Sequence, residues 1–264
     1  MTHATPVDAP ESQGADSGGR NQRKRRGVWL FIRDILIILL AALVISFVIK
    51  TFFIRSFYIP SPSMENTLMV NDRVIVSLLT PGISPLQRGD VVVFTDPGGW
   101  LPADDDVAQA QSPVTDVLAF LGLAAPDDNN HLIKRVIGLP GDDVSCCSPT
   151  GQLEINGTPI SEPYINLPTG VTQADPYSFR VVVPKGDIWV MGDNRDESAD
   201  SAYHNNRKDA TAFVPISDIT GKAMVISWPL SRWTVLSNYP ATFADVKSAS
   251  SSSVKSSSKA SSGK

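Results

Sequence analysis

Apolar residues follow two contrasting patterns along the chain. From Ile35 to Ile54 the run ILIILLAALVISFVIKTFFI is apolar on every side, broken only by Ser46, Lys50 and Thr51. About twenty helical residues rising 1.5 Å each cross a hydrocarbon layer of about 30 Å, so the run predicts one transmembrane helix over residues 34–54. Beyond it, apolar positions come in short β-branched clusters: Val74–Val76, Val91–Phe94, Leu132–Ile137, Phe179–Val183, Ile188–Met191 and Ala223–Trp228. These read as strands. Leu139-Pro-Gly-Asp142, Ile155-Asn-Gly-Thr-Pro159 and Pro184-Lys-Gly-Asp187 supply turn chemistry between them. Strands do not alternate with helices, and no repeat at solenoid or propeller period is present, so antiparallel sheets are expected.

The polar positions orient this arrangement. Arg20, Arg23, Lys24, Arg25 and Arg26 precede the span, and the positive-inside rule makes residues 1–33 a disordered, basic cytoplasmic tail with everything after residue 54 outside. Lys50 can snorkel to the headgroups, and Phe52, Phe53, Phe57 and Tyr58 would form an aromatic collar at the outer surface. A cleavable secretory signal also has a basic start and an apolar centre, but this run is long and no small-x-small site follows it before residue 63. A buried core helix conflicts with the apolar character on all faces. The expected layout is therefore anchor, extracytoplasmic domain over residues 55–246, and a disordered Ser/Lys tail over 247–264. Within the domain, residues 96–131 read as an acidic, solvated insertion. Asp104–Asp106 and Asp127-Asp128 flank a possible short helix at Val114–Leu123, without the spacing and glycine of a calcium loop.

Composition narrows the function classes. With 264 residues, 42% of them hydrophobic, and a net charge of −4, the chain can bury one core plus a small lobe, and nothing points to a nucleic-acid partner. Cys146 and Cys147 are adjacent and lack the spacing of a metal site; a vicinal disulfide and two buried thiols both remain open. A serine hydrolase of the usual kind needs a histidine base, yet His3, His131 and His204 each read as surface residues and no Gly-x-Ser-x-Gly elbow is present.

The segment Ile59-Pro-Ser-Pro-Ser-Met-Glu-Asn-Thr-Leu68 offers Ser63 as a nucleophile just beyond the bilayer, which implies membrane-borne substrates. A lysine can serve as its base if burial lowers its pKa from about 10.4 to about 7–8. Lys134, among the apolar residues of Leu132–Ile137, is the best placed; the other reading of it is a strand-edge lysine facing water.

Four ordered motifs resemble those of bacterial type I signal peptidases, the Ser/Lys-dyad leader peptidases. They are Ile59–Met64, Arg88-Gly-Asp-Val-Val-Val-Phe94, Ile133-Lys-Arg-Val-Ile-Gly-Leu-Pro-Gly-Asp142 and Met191-Gly-Asp-Asn-Arg-Asp-Glu-Ser-Ala-Asp-Ser201. The resemblance covers roughly residues 35–230, including Phe213-Val-Pro215 and Gly221-Lys-Ala223. It implies a mainly β protein: an antiparallel catalytic core of the signal-peptidase type with a smaller β-rich cap lobe at about 142–187, preceded by one N-terminal transmembrane helix. It implies a membrane-bound serine endopeptidase that removes signal peptides from exported preproteins after Ala-x-Ala. Ser63 matches the nucleophile, Lys134 the general base and Ser198 the hydroxyl that orients the lysine. The Ser63 N–H and the Ser61 hydroxyl match the oxyanion hole. Arg135, Asp193 and Asp200 match supporting ion pairs, and Ile59, Met64, Leu68 and Ile133 match walls of the shallow substrate pockets; any one of these four could equally be plain core.

No cofactor or metal is implied. The implied partners are preproteins with their signal peptides and the lipid bilayer, with the secretion translocon as a further partner that this location allows. A same-fold peptidase dedicated to one pilus or conjugation substrate is an alternative. So is a non-enzymatic membrane-anchored β domain that binds exported proteins, although joint retention of Ser61, Ser63, Lys134, Arg135, Asp193 and Ser198 argues against decay. Two positions depart from the family pattern: Asn66, where proline is usual, and Ala202, where a basic residue would partner Asp200.

Overall fold

The computed structural model describes residues 19–101, 130–208 and 210–248, with side chains from residue 29 onward. The aspartates at 104–106 and 127–128, the stretch 114–123, the first eighteen residues and the serine-rich end from 249 lie outside the described residues.

Helix α1 runs Gly19–Phe52. It begins well before residue 34, where the expected tail met the span, because Arg, Lys and Gln continue a helix readily. Its apolar part, Trp29–Phe52, has 24 residues and a mean hydropathy of 2.8 over its most apolar eighteen, with its side chains exposed. The helix ends at Phe52, and Ile54, expected as the last residue of the span, opens strand β1 (Ile54–Tyr58). Phe57 and Tyr58, expected in a collar, belong to this strand. The chain divides into a unit up to Val48 and a second unit from Ile49.

The second unit is built on β strands. After β1 come β2 (Arg73–Ser77), β3 (Val91–Thr95), β4 (His131–Gly138), β5 (Asp143–Cys146), β6 (Glu154–Ile155), β7 (Thr158–Pro159), β8 (Phe179–Val182) and β9 (Asp187–Met191). Helix α2 (Ser201–Arg207) follows, then β10 (Val214–Pro215), β11 (Ile219–Trp228) and β12 (Thr234–Val235). Among the described residues an eight-stranded sheet has the order β1-β2-β11-β3-β4-β9-β10, with β12 on β11, and every pairing is antiparallel. Strands β3 and β4 lie near its middle, which is why VVVFT and HLIKRVIG read as nearly continuous apolar runs: β4 is buried from Ile133 onward.

A smaller antiparallel sheet, β7-β6-β5-β8, lies within the stretch expected as the cap lobe. Its β6–β7 hairpin turns at Asn156-Gly157, both with positive φ (52° and 74°), a conformation that these two residue types tolerate best. The small sheet contributes Val144, Ile155 and Phe179, with Leu153 just before β6, to one apolar cluster with Ile137, Trp189 and Met191 of the large sheet. Strand β5 ends at Cys146, which is joined to Cys147 as a vicinal disulfide, the first of the two readings left open by sequence.

Two histidines expected at the surface are placed differently. His204 is buried on α2, with its ring stacked 4.7 Å from that of Trp100, because the helix turns Ser201 and His204, three residues apart, to the same inward side. His131 is half-buried, its ring 5.2 Å from that of Phe57.

Candidate active site

Ser63 sits in a single 3-10 turn, Pro62–Met64, entered from Ser61 in extended conformation. Proline at the first turn position costs no hydrogen bond and presets φ. Met64 and Leu68 anchor the turn from beneath, with no accessible surface. Ser63 is itself buried, at 5% exposure.

Lys134 reaches the turn from β4, next to Val92 of β3 in register. Its Nζ donates to Ser63 Oγ at 2.5 Å, and the lysine is 3% exposed. Burial pushes its amine down to about 8, against the opposing pull of Asp200 and Asp193 through space. Serine and lysine far apart in the chain are thus brought into direct contact in a site that holds a large fraction of neutral amine near pH 8. Ser61 Oγ lies 3.2 Å from Ser63 Oγ.

Ser198 is buried close by, and its hydroxyl has no hydrogen-bond partner among the described residues. It meets the dyad across Gly192: a Cβ on this glycine would overlap both Ser198 Oγ and the Ser63 carbonyl oxygen. The absent side chain is what lets the end of β9 pass so near the nucleophile.

Arg135, the neighbour of the lysine, is completely buried. It donates to both carboxylate oxygens of Asp193 at 2.8 and 2.6 Å, to Gly89 O at 2.7 Å and to Thr67 Oγ1 at 3.2 Å, and its guanidinium lies 4.1 Å from the Tyr164 ring centroid. Burial disfavours the charge, but Asp193 more than offsets it and raises the pKa of Arg135 above the usual arginine value. Thr67 Oγ1 also donates to Asp193 Oδ2 at 2.5 Å, so the pair holds the far end of the nucleophile turn. Asp200 has a different role from the expected ion pair. It caps α2, its carboxylate accepting from the N–H groups of Ala202 and Tyr203 at 3.0 and 3.4 Å and from Gly192 N–H at 2.9 Å. Ala202, the second residue of α2, is fully buried.

Ile59, Met64, Leu68 and Ile133 pack together in one apolar cluster with Val74, Val76, Val91 and Val93. Ile133, at 9% exposure, keeps the most accessible edge of the four.

Several contacts were not foreseen. Asn194 donates from its backbone to Ser63 O at 3.2 Å and from Nδ2 to Pro62 O at 3.2 Å. Arg195, fully buried, pairs with Glu162 at 2.6 Å and donates to Gly192 O and Ala174 O. Asn66, at φ 91°, donates from Nδ2 to the carbonyls of Tyr164 and Ile165. Gly192, Asn194 and Arg195 lie inside the motif Met191–Ser201, so the sequence carries a signal for them; it carries none for Glu162 and Tyr164.

Comparison with known proteins fits this geometry. Residues 32–228 match the family described as signal peptidase, peptidase S26. A probable signal peptidase I of Mycobacterium leprae (strain TN) is 37% identical, with 86% of each chain covered. Signal peptidase I of Mycobacterium tuberculosis (strain ATCC 25618 / H37Rv) is 36% identical, covering 88% of this chain and 86% of the relative. A solved signal peptidase I from Enterococcus faecalis V583 aligns with a TM-score of 0.32 at 25% identity, over 52% of this chain and 95% of that one. With the family matched from within α1 to the end of β11 and relatives aligned over most of their length, the chain belongs to the signal peptidase family, peptidase S26.

Proposed function

We propose that this signal peptidase removes signal peptides from exported preproteins with Ser63 as nucleophile and Lys134 as general base, cutting after small residues in the pattern Ala-x-Ala. One observation carries the assignment: the buried Lys134 Nζ lies 2.5 Å from Ser63 Oγ. Neutral Lys134 takes the Ser63 proton as Oγ bonds to the scissile carbonyl carbon, and the resulting ammonium returns that proton to the departing amine. Water then attacks the acyl-enzyme, losing its proton to the same lysine, and Ser63 is restored as the new carboxylate leaves. The Ser63 N–H and the Ser61 hydroxyl would hold the oxyanion, Ser198 would orient the lysine, and Arg135 with Asp193 and Asp200 would support the site. The apolar cluster of Ile59, Met64, Leu68 and Ile133 would form the floor against which small substrate side chains rest.

The proposal also places Trp29–Phe52 across the bacterial cytoplasmic membrane as a single pass, with the N-terminus cytoplasmic and the β unit outside. The basic residues ahead of the helix support that orientation. The lipid surface is a further partner, supported by the exposed Trp228, Leu230, Trp233 and Val235.

The test is cleavage of an Ala-x-Ala preprotein by the full chain in detergent or lipid. Ser63→Ala and Lys134→Ala should fold and lose activity, and full activity in Lys134→Ala would remove the lysine from the mechanism. Because only the neutral amine can take the proton, kcat/KM should rise with pH and level off above about 8.

A further inference from the structure

Three chain segments meet around the nucleophile: the turn 62–68, the end of β9 with residues 192–195, and the cap-lobe loop 162–166. Two sides of this triangle are closed by backbone. Asn194 N–H donates to Ser63 O at 3.2 Å, and Asn166 N–H donates to Asp193 O at 2.7 Å in a parallel bridge between Asn166 and Asn194. The third side, from the nucleophile turn directly to the cap-lobe loop, is closed by one side chain. Asn66 Nδ2 donates to Tyr164 O at 2.9 Å and to Ile165 O at 3.3 Å.

We propose that Asn66 is a positioning residue, which fixes the Ser63 turn against the cap-lobe loop through these two carbonyls. The proposal rests on Ser63 being the nucleophile. Asn66 itself is exposed and three residues from Ser63, so it acts through the turn rather than on the reacting atoms. Its backbone φ of 91° is one that asparagine tolerates and proline, held near −65°, cannot reach. Both halves of the residue therefore serve one purpose: the backbone lets the chain reverse after Met64, and the amide then points its two donors at the neighbouring loop. An amide supplies N–H donors to two carbonyl oxygens; a carboxylate in the same place would set acceptor against acceptor. Because the residue is exposed and outside the apolar cluster beneath the turn, replacing it with glycine or aspartate should spare the fold.

The experiment compares wild type, Ser63→Ala, Asn66→Gly, Asn66→Asp and Asn66→Pro as full chains in detergent, reading kcat, KM and Tm on one Ala-x-Ala preprotein. Glycine keeps the backbone conformation and removes the amide, so kcat should fall about threefold to tenfold, with KM within twofold and Tm unchanged. Asn66→Asp should lose more than Asn66→Gly at the same Tm, and Asn66→Pro should lose most. If Asn66→Gly and Asn66→Asp keep wild-type kcat, the proposal is wrong. If KM rises while kcat holds, Asn66 is a substrate contact, and if kcat falls only in step with Tm, its role is plain stability; either result also overturns it. Wild-type cleavage together with an inactive Ser63→Ala shows that the underlying reading stands, so failure of one idea is separable from failure of the other.

Discussion

Gly192 leaves no room for a side chain beside the nucleophile. No positive φ requires this glycine; proximity does, since any side chain would displace either Ser198 or the carbonyl of Ser63. A misplacement of about 1 Å at a reacting group can cost about a hundredfold in rate. Gly192→Ala should therefore reduce kcat about a hundredfold while the chain remains folded, as checked by single-turnover cleavage alongside circular dichroism. Arg135 is constrained by charge instead. Truncating one partner of a fully buried ion pair leaves the other uncompensated, so Arg135→Ala should destabilise the chain by about 3–5 kcal/mol in denaturant titration. Arg135→Lys should recover only part of this loss, since a point charge cannot reproduce the fork that grips both oxygens of Asp193.

At the level of elements, legibility followed how locally each one is encoded. Strands β2, β3, β4 and β9 are β-branched runs whose apolar character survives any register, and sequence located them closely. Strand β1 reads by sequence as part of the membrane span and its collar, because IRSFY becomes a strand only by pairing with Arg73–Ser77. The polar run SAYHNNR carried little helical pattern, and α2 exists through the Asp200 cap and the burial of Ala202 and His204. The same distinction holds in the site. Ser63 and Lys134 stood in motifs, whereas the Asn66 contacts to Tyr164 and Ile165 join segments that have no local signal for each other. The connection between β7 and β8 also carries a titrating group of its own. Burial, and then the nearby Asp200, push the Asp175 carboxyl up to about 7. A folded-state pKa above the unfolded value means the native state holds the extra proton, so this contribution to stability is complete below about 4 and is lost as pH rises through about 7. Asp175→Asn should accordingly raise Tm relative to wild type above pH 7, with the gap closing toward pH 4, in parallel thermal melts across that range.

For the molecule as a whole, chain length limits where the chemistry can happen. Ser63 follows the end of α1 at Phe52 by eleven residues, and even fully extended these span no more than about 40 Å. If α1 crosses the bilayer, the nucleophile works close to the membrane surface, where the cleavage site of a membrane-inserted signal peptide would emerge. The 24-residue stretch from Trp29 to Phe52 would reach about 36 Å as a helix, enough to span with some tilt. This arrangement makes a paired prediction about topology and processing. The chain should stay with the membrane after alkaline extraction and keep the residues ahead of Trp29. Protease added to spheroplasts should digest the β unit, and protease added to inverted vesicles should leave it intact. A chain recovered without its apolar segment would mean that the segment is itself a cleaved signal. Protection in spheroplasts with digestion in inverted vesicles would place Ser63 and Lys134 on the cytoplasmic side, away from any exported substrate, and the proposed orientation would fall with it.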